Sequence, residues 1–179
     1  MAYATPTHLL ARYNANRLGQ LVKDDGTTAS SSQLLTDPNL QAALDDGAGQ
    51  IEMACLAGNR YQQTDLQTLV AAYGLGPTSP QYNSGSLLVR LNCDLAYGCL
   101  VGRKGMDAAT QQAMAPRSAW AESVLEQLRN GDRVFNVAIN LSAGTPSGVD
   151  LSSERTLLPQ YMDRYFGDLT TDPNNVIVR

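Results

Sequence analysis

Asp37-Pro38-Asn39-Leu40-Gln41-Ala42-Ala43-Leu44-Asp45-Asp46-Gly47-Ala48-Gly49-Gln50-Ile51-Glu52-Met53-Ala54-Cys55-Leu56 is the stretch that decides the fold. Asp37 supplies an N-cap carboxylate, and Pro38 takes the first helical position, where a missing N–H costs nothing. Leu40, Ala43, Leu44, Gly47, Ala48, Ile51, Ala54 and Cys55 then recur at the three-and-four spacing that gathers them on one face of a helix. That face must be buried, while Asp46, Gln50 and Met53 on the other side face water or a partner. A glycine in mid-helix costs roughly 1 kcal/mol relative to alanine, so Gly47 beside Ala48 predicts close approach of another backbone. Gly58 and Asn59 end the helix.

Upstream, Thr5-Pro6 repeats the cap-and-proline signal and opens a short helix through Leu9, Leu10 and Tyr13. Asn16, Leu18, Leu21 and Val22 predict another, closed by the turn Asp24-Asp25-Gly26. Residues 26–32 are rich in Thr and Ser and read as an exposed loop. Downstream, Thr64 caps a helix through Leu66, Leu69, Val70 and Tyr73 that Gly74 stops, and residues 74–85 form a loop able to reach a neighbour. From Ser84 or Ser86 begins a helix with an apolar line of Leu88, Leu91, Leu95 and Cys99, Leu87 lying beside it. This helix is the expected partner of the central one. Gly102-Arg103-Lys104-Gly105 breaks the pattern, and Asp107 can cap the next helix. Pro116 kinks or splits that helix, whose later part returns Trp120, Val124 and Leu128 every four residues, with Leu125 adjacent. Asn130-Gly131-Asp132 ends it.

Past that turn the character changes. Residues 134–141 read as a strand with Val137, Ile139 and Leu141 on one side. Leu157, Leu158, Tyr161, Met162, Tyr165 and Phe166 make an amphipathic stripe near Pro159, and residues 175–179 are again strand-like. The expected architecture is mainly α: a small helical bundle over residues 1–131, followed over 132–179 by a mostly extended arm carrying short strand and helix pieces.

A net charge of −4 argues against a protein that grips phosphate through a general Lys/Arg excess. No basic stretch leads into an apolar run at the amino terminus, and no run approaches about 18 apolar residues, so neither secretion nor membrane spanning is expected. Cys55, Cys93 and Cys99 lack metal-type spacing and lie in or beside apolar stripes, which predicts free thiols in a reducing compartment. His8 is the single histidine, so a nucleophile–histidine constellation has one possible base, placed in an opening helix beside Leu9. Asp24-Asp25-Gly26 lacks the alternating oxygens and closing glutamate of a calcium loop. Asp45, Asp46 and Glu52 read as a solvated helix face. Gly74-x-Gly76 and Gly102-Arg103-Lys104-Gly105 fit neither a dinucleotide nor a Walker pattern, and Arg103-Lys104 reads as an exposed pair. Neither a catalytic residue, nor a cofactor, nor a metal is expected.

Met1-Ala2-Tyr3-Ala4-Thr5 with Leu9-Leu10-Ala11-Arg12-Tyr13, Leu18, Leu21 and Asp24-Asp25-Gly26 resembles the start of a family of tailed-phage head–tail connector proteins, Mu-like members included. Leu40, Ala43-Leu44-Asp45-Asp46-Gly47-Ala48, Ile51-Glu52 and Leu88-Val89-Arg90-Leu91-Asn92-Cys93-Asp94-Leu95-Ala96-Tyr97 extend the resemblance, which runs over roughly residues 1–129. It implies a helical subunit of an adaptor ring, often of twelve copies, seated beneath the portal protein in the neck of the virion. A stopper or tail protein would meet the ring from below, and genomic DNA would pass through its channel without specific binding. The long loop around Pro77 and Pro80, the interruption at Pro116 and everything past Gly131 depart from the family's pattern. The unpaired strand-like and amphipathic pieces of the arm are expected to contact the portal or an adjacent copy by strand addition and helix docking. The candidate interface residues are Val134, Phe135, Val137, Ile139, Leu157, Leu158, Tyr161, Met162, Tyr165, Phe166, Val176, Ile177 and Val178, and both ends of the chain are expected to be held by neighbours. A helical DNA-binding or regulatory module is the alternative, since short helices joined by tight turns can form a helix-turn-helix.

Overall fold

A computed structural model describes residues 2–104 and 108–137, which form seven helices in the order α1 Pro6–Arg12, α2 Ala15–Val22, α3 Ser31–Leu34, α4 Pro38–Gly58, α5 Gln63–Gly74, α6 Tyr82–Lys104 and α7 Ala108–Arg129. The central helix begins and ends where its caps predict. The Asp37 carboxylate accepts from the Asn39 N–H at 2.9 Å, and Asn59 closes the helix in the left-handed conformation at φ 49°. All eight residues of the predicted inner face are buried.

Helices α4 and α6 run in opposite directions through the whole bundle. At one end Asn39 and Arg103 both donate to the Val22 carbonyl. Leu40, Ala43 and Leu44 there share a core with α1, α2 and α3 and with Val89, Cys93, Ala96 and Leu100 of α6. At the other end Ile51, Ala54 and Cys55 pack with Leu66 and Leu69 of α5, Leu88 and Leu91 of α6, and Val124, Leu125 and Leu128 of α7. The two long helices cross at Gly47. A Cβ there would lie 2.9 Å from Asn92 Nδ2 and 3.2 Å from the Ala96 nitrogen, so only glycine allows the observed approach.

Asn92 marks the crossing and is fully buried. Its amide donates to the Leu44 carbonyl at 2.9 Å, and its Oδ1 accepts from the Tyr3 and Ala4 N–H groups at 3.1 and 2.8 Å. A buried polar side chain is tolerated when its capacity is filled, and here that capacity anchors the start of the chain to the middle of α6. The Tyr3 hydroxyl extends the anchor by donating to Glu52 Oε1 at 2.7 Å.

Several local expectations shift. Residues 26–32 are not all loop: Ala29 is buried, and Ser30 opens α3 by a reciprocal box in which its own N–H donates to Gln33 Oε1 at 2.9 Å. Helix α5 starts before Thr64, because the Gln62 N–H donates to Asp65 Oδ2 at 2.9 Å and organises the first turn. Helix α6 starts at Tyr82, and Gly85 lies buried inside it, where an added Cβ would stand 2.3 Å from the Leu69 carbonyl oxygen of α5. The same helix continues to Lys104 instead of breaking at Gly102. Pro116 neither splits nor ends α7. Pro116 and Gln112 are both exposed, so water can replace the donor that proline lacks. Asp107 lies outside the described residues.

The bundle also extends past its predicted close. After the Gly131 turn at φ 75°, residues 132–137 form no strand but an irregular strap against the bundle. Phe135 and Val137 are 1% and 6% exposed, packed in the core of α4, α5, α6 and α7. Tyr61 clamps the strap from both sides: its hydroxyl donates to the Phe135 carbonyl at 3.1 Å and accepts from the Phe135 N–H at 2.9 Å. Phe135 and Val137 alternate because one face of an extended segment is buried, a pattern the segment shares with a β-strand. The strand pieces expected at residues 138–141 and 175–179, and the amphipathic stripe at 157–166, lie outside the described residues.

Candidate functional site

The residues weighed as chemistry in the sequence have structural work in the fold. His8 Nδ1 accepts from the Thr5 N–H at 3.1 Å, and its ring stands edge-on to Tyr73 at 5.5 Å, so it closes the first turn of α1. Burial, and secondarily the Arg12 charge, holds its pKa below the ordinary value. Asp25 accepts from the Thr27 N–H and hydroxyl, forming a turn. Arg103 pairs with Asp24 at 2.6 Å and Lys104 donates to the Gln20 carbonyl, so this basic pair fastens the end of α6 to α2. Cys55, Cys93 and Cys99 are free thiols, and desolvation pushes Cys55 and Cys93 up to about 12. Among the described residues no cluster of His, Cys, Asp and Glu could hold a metal ion, and no helix is long and apolar enough to cross a membrane.

Of the thirteen candidate interface residues, the structure places three. Val134 is half-buried against the bundle, and Phe135 and Val137 are core, so the last two are spent on the chain's own packing. Ile139, Leu157, Leu158, Tyr161, Met162, Tyr165, Phe166, Val176, Ile177 and Val178 lie outside the described residues.

Among the described residues, besides the exposed Leu35 and Leu75, two surface features remain that packing does not explain. The first is the outer face of α4. Met53 and Leu56 are 67% and 71% exposed, one turn apart on a helix whose inner face is fully buried, with exposed Asp46 and Gln50 preceding them. The second is a concave site of about 170 Å³ lined by Arg12, Arg90, Asp94 and Arg117, where the end of α1 meets the middle of α6 and of α7.

Aromatic rings pack against the cations of this pocket. Tyr13 stacks on Tyr97 with ring centroids 4.1 Å apart and planes 3° from parallel, which fixes the chain just after Arg12. The Tyr13 hydroxyl donates to Asp94 Oδ1 at 2.5 Å, and Arg90 Nε lies 3.7 Å from the other carboxylate oxygen. The Arg90 guanidinium covers the Trp120 ring at 4.2 Å, and that of Arg117 lies over the Tyr13 ring at 5.1 Å. Burial, then the hydrogen bond to Asp94, raises the Tyr13 pKa well above its usual value, so the hydroxyl remains a donor. Three guanidiniums thus line one concavity together with a carboxylate whose side chain is 7% exposed. Sequence reading missed the site because its cations stand far apart in the chain, although Arg90 and Asp94 at i,i+4 beside a tryptophan helix were visible. No protein-family model, curated protein or solved structure matches this chain.

Proposed function

We propose that the chain is a structural subunit of a phage head–tail connector ring, an adaptor that binds below the portal, extends the DNA channel and links capsid to tail. The observation that carries the reading is the outer face of α4, where Met53 and Leu56 are exposed on a helix whose inner face is fully buried. Covering a side chain of this size contributes roughly 1.5–3 kcal/mol, enough for a weak contact between neighbours that becomes strong when repeated around a ring. The acidic balance of the chain suits a channel through which DNA slides, since a basic lining would retain phosphates. In this reading the chain is no enzyme. Residues of the arm beyond 138, among them Ile139, Leu157, Tyr161, Phe166 and Ile177, reach the portal or an adjacent copy.

Mass photometry of the purified protein, alone and mixed with portal rings from the same genome, tests the assignment. A portal-bound species heavier by a whole ring of subunits is the expected result and gives the copy number. A protein that adds no mass to the portal refutes it, and steeply salt-dependent binding to duplex DNA would then favour the DNA-binding alternative.

A further inference from the structure

We infer that the pocket formed by Arg12, Arg90, Asp94 and Arg117 is an oxyanion site that receives the carboxylate of an acidic side chain from another protein chain. The four residues carry a net +2 on a chain whose total is −4, which leaves −6 on the rest. Such a concentration of one sign in a concave site focuses the local field toward anions. Asp94 does not saturate it, because one of its oxygens takes the Tyr13 hydroxyl and the other stands 3.7 Å from Arg90 Nε, beyond direct hydrogen-bond length. The guanidiniums are pre-oriented by rings, Arg90 on Trp120 and Arg117 on Tyr13, so little side-chain freedom is lost when an anion enters.

The choice of a carboxylate over phosphate rests on the surroundings of the cations. A phosphate group carrying more than one negative charge would sit against the buried Asp94 carboxylate, whereas a single carboxylate meets less repulsion and matches the planar fork of arginine with two bonds. A nucleic-acid backbone is gripped by a row of cations spaced along successive phosphates. Here the neighbouring groove, lined by α4, α6 and α7, continues with Gln50, Ser118 and Glu122 and holds one further cation, Arg129, which makes no row. The site is therefore a compact basic hole on a chain that is otherwise net acidic, suited to a single projecting Asp or Glu. This inference does not depend on ring assembly.

Isothermal titration of a hexaglutamate peptide into the full-length protein at low salt tests it, with the Arg12→Gln, Arg117→Gln double variant for comparison. Both side chains are exposed and only the Arg117 contact with the Tyr13 ring is lost, so the variant is expected to fold with an unfolding temperature close to that of the wild type. Peptide binding should weaken at least about tenfold in the double variant and to a smaller degree in Arg12→Gln alone, which disturbs no ring contact. Absence of binding to the wild-type protein, or equal binding to the double variant, overturns the proposal. Duplex DNA that binds more tightly than the peptide and is lost in the same variant overturns it in favour of a phosphodiester ligand. Inorganic phosphate that binds more tightly than the peptide overturns it in favour of a small free anion.

Discussion

Three glycines of α4 sit in three different surroundings, and alanine at each position converts those surroundings into a stability ranking. In an unobstructed helix interior, Gly→Ala stabilises by about 0.5–1 kcal/mol through helix propensity and a less flexible unfolded chain. Gly49 has no atom within 4 Å of an added Cβ, so Gly49→Ala should show that whole gain. At Gly47 the new methyl would stand 2.9 Å from Asn92 Nδ2 and 3.2 Å from two backbone atoms of α6. Asn92 is held by three hydrogen bonds and cannot swing aside, so the helices must separate slightly, at a net cost of about 1 kcal/mol. At Gly58 the methyl would stand 1.9 Å from the Leu128 carbonyl oxygen, where ordinary contact begins near 3.4 Å. Two backbones must part there, and the overpacking cost of about 3 kcal/mol exceeds the propensity gain, for a net loss of about 2 kcal/mol or more. Urea denaturation with a shared slope reads the series directly, with midpoints falling in the order Gly49→Ala, wild type, Gly47→Ala, Gly58→Ala. A Gly58→Ala protein as stable as wild type would refute the close crossing of α4 and α7.

Other perturbations test separate parts of the fold. Of two shortened chains, one ending after residue 138 and one after residue 132, the shorter lacks buried Phe135 and Val137 and should be less stable by roughly 3–5 kcal/mol, read from their thermal midpoints. Because the His8 pKa is depressed in the folded state, the unfolded chain takes up the proton first. Stability from this group is fully present above pH 6.5 and lost as pH falls, and stability curves of wild type and His8→Gln should diverge only on the acid side. Iodoacetamide near pH 8 should modify half-buried Cys99 first, while Cys55 and Cys93, buried and pushed up to about 12, react only as the protein unfolds; peptide mapping by mass spectrometry tracks the order.

Where a single residue type has one physical use, the sequence could be read with accuracy. Asp37-Pro38 fixed the start of α4, Asn59 its end, and Gly47 the crossing with α6, because capping, ring closure and close approach each have few solutions. Reading failed where two structures share one pattern. Ser30 and Gln33 form a capping box around a helix of only four residues, too short to show a period. Gly85 looked like a loop residue because glycine serves turns and close helix contacts alike, and the contact with Leu69 is visible only in three dimensions. Phe135 and Val137 alternate as a strand does, yet a strap against a helical bundle demands the same alternation. The basic pocket was least legible of all. Arg12, Arg90 and Arg117 belong to three helices and acquire a common purpose only when Tyr13 stacks on Tyr97.

The hold of Asn92 on Tyr3 and Ala4 spans 89 and 88 positions of sequence. During synthesis Tyr3 and Ala4 are made long before their partner exists, and meanwhile α4 lacks the helix that crosses it. Tyr3 and Ala4 are thus secured long after they are made, and their backbone amides stay with water until Asn92 is in place. Long-range closure of this kind slows folding relative to a bundle built only from neighbouring hairpins. It also makes completion of α6 the step that commits the chain, so a nascent protein stalled before residue 92 would leave the segment around Tyr3 and Ala4 open to chaperones and proteases.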